Sequence, residues 1–179
     1  MPILLWGGMT AFRDHPDEWQ RLDWRLLLHG PVTLYCRAAV LVEHVAWFQS
    51  NSYRIDELDC TRWQSAREFH EDVARVLGFP DYYGKNLNAL SDCMSDIEVP
   101  EQGGRVIIWR RYDAFAARDP QAAQGILDTV ALSTWRFLLV GRRLLSLVQS
   151  DDPRLMFDPV GSHPVSWNPQ EWLNAKRRA

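Results

Sequence analysis

The sequence has no apolar run long enough to cross a membrane. A membrane-spanning helix needs about 18 or more consecutive apolar residues. The first residues also lack the basic start and the long apolar core of a signal peptide. We therefore expect a cytoplasmic protein that does not interact with membranes.

Cysteine is scarce, and its arrangement does not suit a disulfide framework or a zinc site. The three cysteines, Cys36, Cys60 and Cys93, are odd in number and far apart. Disulfide scaffolds use even numbers of cysteines, and zinc sites place their ligands in closely spaced pairs. The pattern favours reduced thiols, and we predict neither a metal site nor a cofactor.

Known catalytic and phosphate-binding signatures are also missing. Gly161-Ser162-His163 lacks the strand-turn-helix context of a hydrolase nucleophile. His44 and His70 lie on predicted helices among apolar residues, where a structural histidine is the usual case. No glycine-rich phosphate loop is present. We predict that the chain is not an enzyme; a deep pocket that joins Asp92 to a histidine would support the enzyme alternative.

The overall charge does not indicate a nucleic-acid-binding protein. The formal net charge is −3 and hydrophobic residues make up 46% of the 179 residues, a composition typical of a soluble globular protein. Two short basic patches, Arg142-Arg143 and Lys176-Arg177-Arg178, lack interleaved aromatic residues. We expect no direct binding of nucleic acid, and a salt-sensitive interaction with RNA would contradict this expectation.

Strand and helix patterns alternate along the chain and predict an α/β protein with a parallel sheet covered by helices. Strands are predicted at residues 32–36, 53–58, 105–109 and 136–140. Helices are predicted at residues 16–28, 38–48, 65–77, 87–94 and 120–132.

The pattern changes after Gly141. Residues 144–148 and 155–157 indicate a hairpin attached to the core, and Asn168 followed by Pro169 indicates a short closing helix. We therefore predict a core domain flanked by two extensions that together form one compact unit. The predicted boundaries are an N-terminal extension at 1–52, a core domain at 53–141 and a C-terminal extension at 142–179.

Residues 78–93, with the sequence GFPDYYGKNLNALSDC, carry most of the functional information. Gly84 can take the positive φ that a loop needs, and Asn86 can cap a following helix. On that helix Asn88 and Asp92 lie four residues apart and share one face, opposite an apolar stripe. The segment therefore predicts a rigid loop that leads into a helix with one packing face and one outward face.

This segment resembles the barstar family of ribonuclease inhibitors. The family pattern reads Pro, an acidic residue, Tyr-Tyr-Gly, any residue, Asn-Leu-Asp-Ala-Leu, any residue and Asp-Cys, and residues 80–93 match it closely. The resemblance extends over residues 53–141. It implies a barstar-like parallel sheet covered by helices, here extended by an N-terminal β-α element and a C-terminal hairpin plus helix. It also implies a protein that occludes the active site of a barnase-type ribonuclease.

The charge of this region fits such a role. Residues 81–101 carry five acidic side chains and one lysine. A carboxylate can take the place of a phosphate oxygen in a basic groove, although an isolated acidic cluster is usually only a solvated face. By resemblance, Asp92 faces the basic catalytic site of the ribonuclease, and one of the two tyrosines is expected to pack while the other contacts the partner. The predicted partner-binding residues are Tyr82, Tyr83, Gly84, Asn86, Asn88, Ser91, Asp92 and Asp96.

The departures from the family pattern reduce charge and aromatic surface. Asn88 stands where an acid is typical, Ser91 where the bacterial inhibitor has a tryptophan, and Ile97 near the place of a second aromatic. Asp128 is only a nearby candidate for a later acidic contact. Because hot spots favour aromatics and buried charge pairs, these changes favour weaker binding to barnase or a different partner. The alternative function is therefore a barstar-fold interaction module or immunity protein for another partner.

Overall fold

A computed structural model describes residues 10–177 of the protein. At its centre is one five-stranded sheet in which each pair of neighbouring strands runs parallel. The order of the strands across the sheet is β2-β3-β4-β1-β5. The strands are β1 Val32–Tyr35, β2 Tyr53–Asp59, β3 Gly104–Arg110, β4 Leu144–Gln149 and β5 Ser166–Trp167.

Eight α-helices and one short 3-10 helix, Cys60–Arg62, accompany the sheet within residues 10–177, and none of them is long and apolar enough to span a bilayer. The α-helices are α1 Pro16–Trp19, α2 Leu22–Leu27, α3 Ala38–Ser50, α4 Ala66–Leu77, α5 Leu87–Asp96, α6 Tyr112–Arg118, α7 Pro120–Leu139 and α8 Asn174–Arg177.

Strand β3 shows how the sheet is buried on both faces. Ile107 and Trp109 belong to the hydrophobic core formed with α4, α5, α6 and α7. Val106 and Ile108 belong to the core formed with α2 and α3. Successive side chains of a strand point to opposite faces, so this alternation means that helices cover both faces of the sheet. The predicted α/β class with a covered parallel sheet is confirmed.

Local signals place the two helices around the candidate loop. Helix α4 begins with a capping box of Ser65 and Glu68 and ends at Gly78, whose φ of 74° is left-handed. Helix α5 packs closely on α7, because a Cβ at Gly125 would lie 2.8 Å from Cδ1 of Leu87. The absence of a side chain at Gly125 therefore allows the close approach of α5 and α7.

The prediction of a strand at residues 136–140 is wrong. Helix α7 continues through Leu139, and its middle contains hydroxyl residues whose side chains bond back to the helix. Ser133 Oγ donates to the carbonyl of Thr129 at 3.1 Å, and Thr134 Oγ1 donates to that of Val130 at 3.3 Å. A short apolar run cannot be distinguished as strand or helix by its pattern alone, and tertiary packing keeps this one helical.

The hairpin predicted after Gly141 does not form. Residues 144–149 are β4, which lies between β3 and β1 and pairs in parallel with both. Residues 155–157 form no strand, and the one antiparallel pairing in the described part of the chain is the bridge between Val160 and His163. The run at 144–148 is apolar at nearly every position, which is typical of a central parallel strand buried on both faces.

Smaller differences between prediction and structure concern α6 and the two ends of the chain. The helix predicted at residues 16–28 is divided into α1 and α2, and α6 was not predicted. The closing helix starts at Asn174, because Asn168 instead forms a turn in which its Oδ1 accepts from the amide of Gln170 at 3.0 Å. Residues 1–9 of the predicted N-terminal extension and Arg178 of the terminal basic patch lie outside the described residues.

The sheet draws on all three predicted segments. Strands β2 and β3 come from residues 53–141, whereas β1 comes from the N-terminal extension and β4 and β5 from the C-terminal one. Strands β1 and β2 run in the same direction but are not neighbours in the sheet, because β3 and β4 lie between them. The division into a core and two extensions stays a prediction.

A buried carboxylate fixes the C-terminal segment to the carboxyl end of β1. Glu171 is fully buried, and its oxygens accept from the backbone amides of Cys36 at 3.2 Å and Arg37 at 2.6 Å. The side-chain amide of Asn168 also donates to Glu171. Since Arg37 is the N-cap of α3, the carboxylate lies at the positive end of that helix dipole.

We expect Glu171→Ala to lower the free energy of unfolding by about 2–4 kcal/mol, because the buried amide of Asn168 and the partly buried backbone amides of Cys36 and Arg37 lose their acceptor. Urea unfolding followed by tryptophan fluorescence measures the change. Glu43→Ala on α3 is the control: Glu43 is exposed and has no side-chain partner among residues 10–177, so it should change stability by less than about 0.5 kcal/mol. Equal stability of both variants would show that this anchor is not needed.

Candidate functional site

The loop between α4 and α5 is tied down at several points. The amide of Tyr83 donates to the carbonyl of Pro80 at 3.0 Å, which closes a turn. Oδ1 of Asn86 accepts from the amide of Ala89 at 2.9 Å, and its Nδ2 donates to the carbonyl of Gly84 at 3.1 Å. Asn86 therefore caps α5, as the sequence predicts, and also joins the loop to the start of the helix.

The positive φ of this loop occurs at Lys85, with a value of 50°, and not at Gly84 as predicted. Glycine is favoured at position 84 for a different reason, because the neighbouring atoms leave little room for a side chain. A Cβ there would lie 3.2 Å from Nδ2 of Asn86 and 3.3 Å from Cβ of Ala89, so it would press on the cap. The ammonium group of Lys85 is paired with Glu71 of α4 at 3.1 Å.

The two adjacent tyrosines have different environments. Tyr82 is 86% exposed, whereas Tyr83 is 7% exposed. The ring of Tyr83 packs edge-on against Phe79 with centroids 4.9 Å apart, and its hydroxyl is hydrogen-bonded to Nδ1 of buried His70. The ring of Tyr83 therefore supports the loop, and the ring of Tyr82 is available for a partner.

The contact between His70 and Tyr83 joins two neutral groups. Burial lowers the pKa of His70, and the positive charge of Lys85 lowers it further. Burial raises the pKa of Tyr83 far above its ordinary value. The loop is therefore fixed to α4 without a charge inside the core.

The outward face of α5 carries carboxylates that are free to interact. Asn88, Asp92 and Asp96 are exposed at successive turns of the helix. Within residues 10–177, Asp92 and Asp96 form no ion pair and no side-chain hydrogen bond, and the same holds for exposed Asp81 of the loop. These three carboxylates are available to a cationic surface.

The other two acids of the segment are already paired. Glu98 lies 3.4 Å from Nη1 of Arg54, and Glu101 lies 2.6 Å from Nη2 of Arg142. The negative charge that is available to a partner is therefore concentrated on the loop and on α5. It is smaller than the five acidic residues of this segment indicate.

Ser91 lies at the border between α5 and α7 and is partly buried. Its Oγ accepts from Nη1 of Arg136 at 3.2 Å, and Ser95 Oγ accepts from the same nitrogen at 2.9 Å. Sequence reasoning missed Arg136 because residues 136–140 were assigned to a strand. Asp128, the other acidic candidate, accepts from the amide of Gly161 at 2.7 Å and so holds the C-terminal segment.

A groove of about 530 Å³ runs beside the outward face of α5. Its lining includes Asp92 but no histidine, so this groove is not a pocket that joins Asp92 to a histidine. Arg105 lines the groove and is buried, with Nε donating to Asp56 at 2.6 Å and Nη1 to the carbonyl of Glu98 at 3.0 Å. These bonds fix the connection that follows α5. Residues 10–177 contain no cluster of three or more histidine, cysteine or acidic side chains placed to hold a metal ion.

Comparisons with known proteins bear on the same segment. The model of the Barstar family, described as Barstar (barnase inhibitor), matches residues 53–139. A curated protein of Bacillus subtilis (strain 168), named "Putative ribonuclease inhibitor YrdF", is 42% identical over 44 residues, which are 24% of this chain and 48% of that protein. The similarity thus spans about half the length of that relative. The family match runs from β2 through the last residue of α7 and includes the loop and α5.

Acid should destabilise the fold through His70. Its pKa is lowered in the folded protein, whereas in the unfolded chain a histidine titrates near about 6.5. In the window between the two values only the unfolded chain takes up the proton, so the free energy of unfolding falls as pH falls from about 6.5 and levels off below the lowered pKa. Urea unfolding between pH 8 and pH 5 measures this slope.

The variant His70→Gln should show a flatter pH dependence than the wild type. Burial also lowers the pKa of His44, so His44→Gln should remove a separate part of the slope and the double variant should remove both. An unchanged slope in His70→Gln would contradict the assignment.

Proposed function

We propose that the chain is a ribonuclease inhibitor, because the model of the Barstar (barnase inhibitor) family matches residues 53–139. It binds a basic ribonuclease of the barnase type and occludes the active site with the loop and the outward face of α5. In this role it acts in the cytoplasm to neutralise a toxic ribonuclease. It has no enzymatic activity of its own, needs no cofactor and binds neither nucleic acid nor membranes.

The observation that carries the proposal is the pair of exposed carboxylates of Asp92 and Asp96, which lie one helical turn apart and have no partner within residues 10–177. A ribonuclease active site must bind phosphate groups, and carboxylates can form the same charge-assisted hydrogen bonds there. The exposed ring of Tyr82 adds an aromatic surface beside them, of the kind enriched at binding hot spots.

Preorganisation supports the same proposal. The cap by Asn86 and the contact of Tyr83 with His70 hold the loop in one conformation before any partner arrives. A rigid loop loses less conformational entropy on binding, so more of the interaction energy appears as affinity.

The predicted binding residues take different roles in this proposal. Four contact the partner through their side chains, Gly84 offers only its exposed backbone, two support the loop, and Ser91 borders the interface. The contacting residues are Tyr82, Asn88, Asp92 and Asp96, and the supporting residues are Tyr83 and Asn86.

A second candidate is an interaction module or immunity protein with the same fold and a different partner. Two observations favour it. The amide of Asn88 brings no charge to the face, and Ser91 is engaged by Arg136 and provides no aromatic anchor. The face is therefore less acidic and less aromatic than the family pattern, which favours weaker binding to a basic enzyme or a different partner.

Cleavage of RNA by a barnase-type ribonuclease, titrated with this protein, tests the proposal. We expect stoichiometric inhibition by the wild type. Asp92→Ala should weaken binding by about 30-fold or more, because it leaves basic groups of the enzyme without their partner. Asp14→Ala is the matched control, since Asp14 is exposed, lies before α1 and has no side-chain partner in the described part of the chain.

The two possible failures have different meanings. No inhibition by folded wild-type protein would reject this class of enzyme and favour a different partner. Inhibition that Asp92→Ala leaves unchanged would mean that binding uses another surface.

A further inference from the structure

The guanidinium group of Arg136 is held at the edge of the outward face of α5, which carries Asp92 and Asp96. Arg136, in the last turn of α7, is exposed, and its Nη1 donates to the hydroxyls of both Ser91 and Ser95 on α5. Ser95 Oγ donates in turn to the carbonyl of Ser91 at 2.9 Å. A basic residue near a helix C-terminus is explained by the helix dipole, but the dipole does not account for two hydroxyls that orient the guanidinium across a second helix.

The charge of Arg136 is not neutralised within the described residues, where no carboxylate lies within ion-pair distance of it. Its Nε and Nη2 likewise have no protein partner there. These two nitrogens form one edge of the planar guanidinium, which is the edge that binds a carboxylate with two parallel hydrogen bonds. The side chain thus presents two N–H donors, fixed in place beside Ser91, to which an anion can bind.

We propose, on the basis of the inhibitor function above, that Arg136 is a specificity residue that binds a carboxylate on the rim of the partner's active site. The partner that fits this arrangement has basic residues in its active site, which bind Asp92. It also has an aspartate or glutamate at the position on the rim that contacts Arg136. A partner that is basic over the whole contact area places a positive charge against Arg136 and is disfavoured.

A carboxylate fits this position better than a phosphate group. The exposed carboxylates of Asp92 and Asp96 lie on the same helix as Ser91, and they repel an RNA backbone, which carries a negative charge at every nucleotide. A single acidic side chain set among basic residues of a protein meets less repulsion and completes an alternating charge pattern.

The test measures dissociation constants for a panel of barnase-type ribonucleases whose active-site rims are either wholly basic or contain an acidic residue. The chain is used as wild type, Arg136→Gln, Arg136→Glu and Arg25→Glu. Arg25 is the control because it is exposed on α2, which packs on the other face of the sheet, and because its charge change equals that of Arg136→Glu. Arg136 is itself exposed, so its variants should fold, and thermal unfolding checks this.

Arg136→Glu should bind a ribonuclease with a wholly basic rim at least about tenfold more tightly than the wild type does. The affinity of Arg136→Gln should lie between the two. Against a rim with an acidic residue the order should reverse. Most of the change should lie in the association rate and shrink at high salt, as for other charges at the edge of an interface. Arg25→Glu should follow the wild type for both rims.

The results separate this inference from the inhibitor proposal. If the wild type inhibits and the Arg136 variants behave like it, the inhibitor function stands and the inference is overturned. If only Arg136→Glu inhibits a basic enzyme, the inference stands and that enzyme is not the natural target. If no variant binds any enzyme, both are rejected. Binding of RNA by the wild type that is lost in Arg136→Glu would assign the guanidinium to phosphate and also overturn the inference.

Discussion

The crossover between β3 and β4 is the constraint on which the position of α5 and its outward face depends. These strands are parallel neighbours, so the chain must return across the sheet between them, and α6 and α7 make that return. Helix α7 has 20 residues, about 30 Å, and offers a long surface against which α5 packs. The close approach at Gly125 and Leu87 holds α5 there. The acidic face is therefore positioned by the sheet, although no residue of a strand belongs to it.

The loop and α5 combine a neutral, buried support with a charged outer surface. Tyr83 and His70 meet inside the fold as uncharged groups, so the loop is held without an internal ion pair. The carboxylates of Asp92 and Asp96 are exposed and make no side-chain hydrogen bond or ion pair in the part of the chain that the structure describes. Because the supporting contacts and the outward charges belong to different residues, the face can change its charge without loss of its shape. Arg136 places a positive charge at the α7 border of this surface, where the hydroxyls of Ser91 and Ser95 hold it.

Local features of the fold and of the site were predictable from the sequence, since they depend on neighbours in the chain. The capping box of Ser65 and Glu68 and the cap by Asn86 involve residues three positions apart. Non-local features were not predictable. The apolar pattern of β4 does not indicate that this strand lies between β3 and β1. The pattern of residues 136–140 predicts a strand, whereas these residues are kept helical by packing partners that are distant in the chain.

The sequence alone determined the family resemblance, the capped helix with its outward Asp92 and the excess of acidic residues from 81 to 101, because each is written in consecutive residues. The tertiary structure decided which of those groups are free. It buried Tyr83 and exposed Tyr82, paired Glu98 with Arg54, and brought Arg136 to Ser91 across two helices. These outcomes depend on which distant side chains meet when the helices pack on the sheet, and that information is absent from any single stretch of the chain.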